Sequence, residues 1–160
     1  MLKILILGSS GLLGRLLYYK LKKDKKIKLF HTGLKKRKFD LTSKFLLKNL
    51  VISKKPDVII NTIGLTNLEK CQKQTQFSKK INYGIIDSVF KIKNQKKLNF
   101  NLIQISTDQF YNKKGKKGNT ERSKIYLMNN YCKHKRMSEI TCIKNNALVL
   151  RTNFFGKSLS

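Results

Sequence analysis

Tryptophan is absent, proline occurs once, and only eight acidic residues stand against 36 basic ones in this 160-residue chain. Cys71, Cys132 and Cys142 form no Cys-x-x-Cys pair, and His31 and His134 are the only histidines. That scarcity argues against a disulfide framework and a zinc site, so no metal is expected. Apolar runs stay far short of the ~20 residues that cross a bilayer, so no membrane partner is expected. The expectation is a globular protein of a reducing cytoplasm. A secretory signal is not expected in the opening segment, because glycines interrupt its apolar stretch, Arg15 ends it, and no small-residue cleavage site follows before LKKDKKIK.

The formal net charge of +28 raises the question of nucleic acid. Only Arg15, Arg37, Arg122, Arg136 and Arg151 are arginine; the other basic residues are lysines spread along nearly the whole chain, with no helix-turn-helix, zinc-finger or aromatic RNP-like pattern beside them. That spread reads as solvated faces filled by lysine. Non-specific adhesion to polyanions at low salt is expected, and a specific nucleic-acid partner is not.

What the chain does have is ILILGSSGLLGRLL, where Gly8, Gly11 and Gly14 recur every third residue behind a short apolar run. Leu2 to Leu7 suits a strand buried on both faces, and Leu12, Leu13, Leu16 and Leu17 recur at helical spacing. Strand, glycine turn and helix is the dinucleotide-binding order: Gly8 for the tight turn, Gly11 for close approach of backbone N–H groups to a pyrophosphate, Gly14 for helix on strand.

Further strands are expected at Ile27 to Thr32, Phe39 to Leu41, Asp57 to Thr62, Asn101 to Ser106 and Ala147 to Thr152. Helices are expected from a Thr42 or Ser43 cap to about Ile52, over about Gln74 to Lys97, and around Asn130 to Asn145. Asn112 to Lys124 is polar and basic and reads as a loop. The alternation predicts an α/β protein, a Rossmann-type doubly wound sheet of six parallel strands, in one unit covering residues 1–160.

In YCKHK, Tyr131 and Lys135 are four apart and share one face of a helix. A lysine cation beside a phenol favours the phenolate and makes tyrosine usable for proton transfer. Tyr18 with Lys22 and Tyr19 with Lys23 repeat the spacing and read as surface or packing. Tyr131 differs in following a strand that ends in ISTD, whose Ser106 and Thr107 hydroxyls fall at the ligand end of a parallel sheet.

GSSGLLG, PDVIINTIGLTNLEKCQ, ISTDQF, YCKHK and LVLRTNFFG stand in the order and spacing of the extended short-chain dehydrogenase/reductases, and the chain most resembles the dTDP-4-dehydrorhamnose reductase branch. The resemblance implies NAD(P)H as cofactor; with no acidic residue among Phe30, His31 and Thr32 at the end of the second strand and Lys35, Lys36 and Arg37 following, NADPH is expected, with NADH as the alternative. It implies contacts to that cofactor from Gly8, Gly11, Leu12, Leu13, Gly14, Asp40, Leu41, Asn61, Gly64, Thr66, Tyr131 and Lys135. It implies a catalytic set of Thr107, bonded to a substrate ketone, Tyr131 as proton donor, and Lys135 holding the nicotinamide ribose and lowering the tyrosine pKa. The substrate implied is a nucleotide-linked 4-keto-6-deoxy sugar of the kind used in cell-surface polysaccharides. The resemblance also implies a further, C-terminal substrate domain that the 160 residues do not include, supplied by a longer chain, a homodimer or another partner. Residues 1–160 alone are then expected to bind dinucleotide without turnover. Three readings stay open beside this one: a non-catalytic dinucleotide-binding module, an epimerase or dehydratase of the same superfamily, and a basic nucleic-acid-associated protein.

Overall fold

The computed structural model describes residues 1–33, 40–111 and 118–153. Five strands, β1 (Leu2–Leu7), β2 (Ile27–His31), β3 (Val58–Asn61), β4 (Asn101–Thr107) and β5 (Leu148–Thr152), form one sheet in the order β2-β1-β3-β4-β5. Every pairing is parallel. The helices are α1 (Leu12–Leu21), α2 (Lys44–Lys54), α3 (Leu68–Lys73), α4 (Thr75–Lys79), α5 (Ile85–Gln95) and α6 (Asn130–Lys144), with a π-helical turn at Lys80–Gly84 joining α4 to α5.

Alternate residues of the central strands enter two cores. Ile4, Ile6 and Ile60 pack with Leu17, Tyr18 and Leu21 of α1 on one face. Leu5, Leu7 and Ile59 pack on the other with Leu47 and Val51 of α2 and with Ile85, Ile86 and Val89 of α5. This is why the central strands read as continuous apolar runs. Register between β1 and β3 is held outside the ladder as well: Asp57 N donates to the Lys3 carbonyl (2.8 Å), and Lys3 N donates to the Asp57 carboxylate (2.7 Å).

The chain leaves β1 toward β2 on one side and returns to β3 on the other, so the order reverses at the carboxyl ends of β1 and β3. In open α/β sheets that reversal opens the ligand crevice. The glycine segment follows β1 at this point.

Among the described residues the sheet has five strands where six were expected, and the strand expected at Phe39 to Leu41 is not one of them. Phe39 lies outside the described residues; Asp40 and Leu41 turn instead. The Asp40 carboxylate accepts from Thr42 N (2.9 Å) and Thr42 Oγ1 (2.6 Å), and the Asp40 carbonyl accepts from Ser43 N (3.2 Å). Aspartate bonded to its own backbone two residues on makes a turn. Ser43 then caps α2 by accepting from Leu46 N. The single helix expected over Gln74 to Lys97 is three segments, and its π-turn carries Asn82. Of the loop expected over Asn112 to Lys124, residues 118–124 hold no helix or strand, and 112–117 lie outside the described residues.

Candidate functional site

Gly8 has φ +89, and a Cβ there would stand 2.8 Å from Ile63 Cγ1 and 3.1 Å from Thr62 Oγ1. Only glycine takes that backbone without strain and lets the segment after β3 pass so close. Gly11 caps α1 with no side-chain bond, and a Cβ on it would meet nothing nearer than the Gly8 carbonyl oxygen at 3.5 Å. An α-helix leaves its first amides without helical partners and carries partial positive charge there.

Two cavities open along this edge, of about 320 Å³ and about 410 Å³, and both are bounded by Gly11 and by Thr62, Ile63 and Gly64. The uncapped start of α1 stands at their junction, the arrangement that receives phosphate. The smaller cavity reaches Gly8, Asp40 and Leu41, and the larger reaches Leu12, Leu13, Thr66, Thr107, Tyr131 and Lys135.

Gly14 and Asn61 line neither cavity. Gly14 is buried where α1 crosses the end of β1. Asn61 donates from Nδ2 to Gln104 Oε1 (2.8 Å) and accepts at Oδ1 from Ile63 N (3.2 Å), joining β3 to β4 and shaping the turn that follows.

β4 delivers Thr107 to the sheet edge, and α6 brings Tyr131 and Lys135 over it. The start of α6 is set by Asn129, whose side chain accepts from Cys132 N (2.9 Å). Tyr131 and Lys135 are both buried, at 5% and 3% exposure. Burial raises the Tyr131 pKa above its ordinary value, and a hydrogen bond with Thr107 works against the rise. Burial also brings Lys135 down to about 8, opposed chiefly by Glu139. Lys135 Nζ donates to the Ile105 carbonyl at 2.6 Å. At Tyr131 desolvation outweighs the Thr107 hydrogen bond, so the phenol stays protonated at neutral pH.

Tyr18 and Tyr19 have no such surroundings. Tyr18 packs edge-on against His31 with centroids 4.5 Å apart, and Tyr19 is 57% exposed. His134 is buried and belongs to helix packing, its Nδ1 lying 2.9 Å from Ser78 Oγ; burial first, then Lys79 and Lys133, push its pKa down. Ser78 Oγ accepts from Asn82 Nδ2 (3.2 Å), and Asn82 in turn bonds the Leu65 amide (2.8 Å) and carbonyl (3.1 Å). This buried chain braces the segment before Thr66 against α6.

Sequence reasoning missed Ser10, Thr32, Gly33, Thr42, Ile81 and Ile85 in the smaller cavity and Asp108 and Asn153 in the larger. The Thr-Gly pair after β2 was a usable signal, because Gly33 has φ +105 and packs on Ser10. The others come together only through the tertiary fold.

Residues 2–158 match the family model described as the RmlD substrate binding domain. No curated protein matches the chain. A solved dTDP-4-dehydrorhamnose reductase from Clostridium acetobutylicum superposes with TM-score 0.84 at 26% identity, over 99% of this chain and 56% of the other. A hypothetical dTDP-4-dehydrorhamnose reductase from Sulfolobus tokodaii gives 0.82 at 29%, over 98% and 58%. The dTDP-4-dehydrorhamnose reductase from Bacillus anthracis, solved in complex with NADP, gives 0.82 at 20% over 99% and 57%, a likeness of fold. The chain thus spans a little over half the length of the structures it matches.

Proposed function

The chain belongs to the RmlD substrate binding domain family, and from that premise we propose that it forms the NADPH-binding, proton-donating part of a reductase acting on a nucleotide-linked 4-keto-6-deoxy sugar. The observation that carries this reading is the joining of two cavities through the uncapped start of α1, one toward Asp40 and the other onto Thr107, Tyr131 and Lys135. The residues fit a dinucleotide: glycines where a Cβ would obstruct close approach, helix amides for a pyrophosphate, and a buried cation for a ribose.

Held by these residues, NADPH would supply the hydride that reduces a C4 ketone. Gly8 and Gly11 let the backbone close on the pyrophosphate, and Leu12 and Leu13 present the first amides of α1 to it. Lys135, in the larger cavity with its ammonium on the Ile105 carbonyl, would offer a further N–H to the ribose hydroxyls, and Thr66 and Gly64 line the same cavity. Thr107 holds the ketone oxygen beside Tyr131, and Tyr131 gives its phenolic proton to the alkoxide that forms there. A phenol neutral at pH 7 suits that role. The other wall of the sugar site falls to a second domain, in line with the fraction of its relatives that this chain spans.

Fluorescence titration with NADPH at physiological salt tests the reading. Saturable binding that Gly11→Val abolishes is the expected result, with no reduction of a dTDP-4-keto-6-deoxy sugar by residues 1–160 alone. Absence of saturable binding overturns the proposal.

A further inference from the structure

α6 carries three ionisable side chains on one stripe, Tyr131, Lys135 and Glu139, each a helical turn from the next. The first two line the larger cavity; Glu139 lies beneath it, fully buried at 0% exposure. A carboxylate at that depth is stable only with partners for both oxygens. Arg151 of β5 supplies them, donating from Nε to Oε1 and from Nη2 to Oε2, each at 2.8 Å, and Arg136 Nη1 donates to Oε2 at 2.8 Å.

Arg151 has a second engagement. Its Nη1 donates to the Tyr111 hydroxyl (2.6 Å), and its guanidinium lies 5.3 Å from the Phe110 ring centroid and 5.5 Å from that of Tyr111. Phe110 and Tyr111 directly follow Asp108 and Gln109, which line the cavity. One carboxylate therefore ties α6, β5 and the exit of β4 together beside the site.

A packed apolar pair could make the same mechanical link. What the pair of charges adds is a negative group one turn from Lys135. We infer that Glu139 is a positioning residue, holding the exit of β4 against α6 through Arg151 and keeping Lys135 a cation within a water-poor pocket. The second role gains its use from the NADPH-binding reading above.

The groups facing Lys135 and Glu139 are few. From β4 come the Ile105 carbonyl, bonded to Lys135, and Ser106, whose hydroxyl is close enough to lower the Glu139 pKa yet makes no well-aligned hydrogen bond among the described residues. From α6 come Tyr131, one helical turn before Lys135, Cys142, which acts on Lys135, and Arg136, bonded to Glu139; from β5 comes Arg151, also bonded to Glu139. Glu139 is the largest influence opposing desolvation at Lys135.

Lys135 is titrated in the chain without cofactor by ¹³Cε NMR, its resonance assigned from its loss in Lys135→Arg. Glu139→Gln should lower the titration from about 8 by about one unit. Arg136→Gln removes the cation bonded to Glu139 next to Lys135 in the helix and should raise it. Simple loosening of the fold would expose the lysine and raise both. A rise or no change in Glu139→Gln overturns the inference; if that variant does not fold, an unshifted titration in Arg136→Gln does so. In NADPH titrations, Glu139→Gln should weaken binding about fivefold relative to the unaltered chain at pH 8 and regain parity at pH 6, where Lys135 is protonated in both. Equal weakening at both pH values overturns the charge role. Failure of the unaltered chain to bind NADPH refutes the proposed function and leaves the NMR titration to decide this one.

Discussion

A Cβ on Gly14 would stand 2.3 Å from the carbonyl oxygen of Gly8 and 2.7 Å from Thr62 Oγ1. The first neighbour is backbone, which cannot swing aside. Gly14→Ala would gain roughly 0.5–1 kcal/mol of helix propensity, but overpacking costs about 1–3 kcal/mol, so the clash wins. Gly11→Ala makes only an ordinary contact, 3.5 Å from the Gly8 carbonyl oxygen, and should change stability by less than about 1 kcal/mol while weakening dinucleotide binding, since Gly11 lines both cavities. Urea unfolding and NADPH titration on both variants check the contrast; a Gly14→Ala chain as stable as the parent would contradict it.

Lys135 should be a liability to stability. Folded, it titrates near about 8 against an ordinary 10.5. Between those values the unfolded chain binds more protons than the folded one, so stability rises with pH across that window, and below it the buried charge is a deficit of about 3 kcal/mol. Lys135→Met removes the deficit and leaves the Ile105 carbonyl without this donor, a smaller loss of about 1–2 kcal/mol. The variant should therefore be more stable than the parent at pH 7 by about 1–2 kcal/mol, with that advantage shrinking toward pH 10.5. Urea unfolding at the two pH values tests this, and an advantage that grows with pH refutes it.

Turnover in a chain able to reduce its sugar should fall by roughly 10²–10⁴-fold in Tyr131→Phe, with the NADPH dissociation constant little changed. Lys135→Ala should impair both. Tyr18→Phe and Tyr19→Phe serve as controls, because those phenols stand away from the cavities. Equal damage from a control would remove Tyr131 from its role.

NADPH should bind more tightly than NADH. An NAD-selective site places an acidic residue at the end of β2 to accept from the ribose 2′-OH, and here His31, Thr32 and Gly33 stand there. The nearby carboxylate, Asp40, is engaged by the hydroxyl and amide of Thr42, which hold its pKa below the ordinary value. Lys35, Lys36 and Arg37, the basic group expected to receive a 2′-phosphate, lie outside the described residues. Equal dissociation constants at physiological salt would sink the preference.

Much of the fold around the glycine segment was legible because its signals are local. Glycine spacing, a buried apolar run and a Ser43 cap act within a few residues, and so they read directly into β1, α1 and α2. Tyr131 stood out from Tyr18 and Tyr19 only by its distance along the chain from ISTD, and the structure places it against Thr107 and the other two against water or His31. Asp40 and Leu41 did not join the sheet because Asp40 bonds its own neighbours, Thr42 and Ser43, rather than a ladder.

The turn at Gly8 and the shared helical face of Tyr131 and Lys135 follow from the sequence by itself, since they rest on steric limits and on a fixed helical repeat. Which groups share a charge was decided only in three dimensions. Arg151 and Glu139 are twelve positions apart, and Lys135 finds Ile105 across thirty. Burial then sets their protonation, and burial is a property of the packed sheet and helices together, which no stretch of chain carries alone.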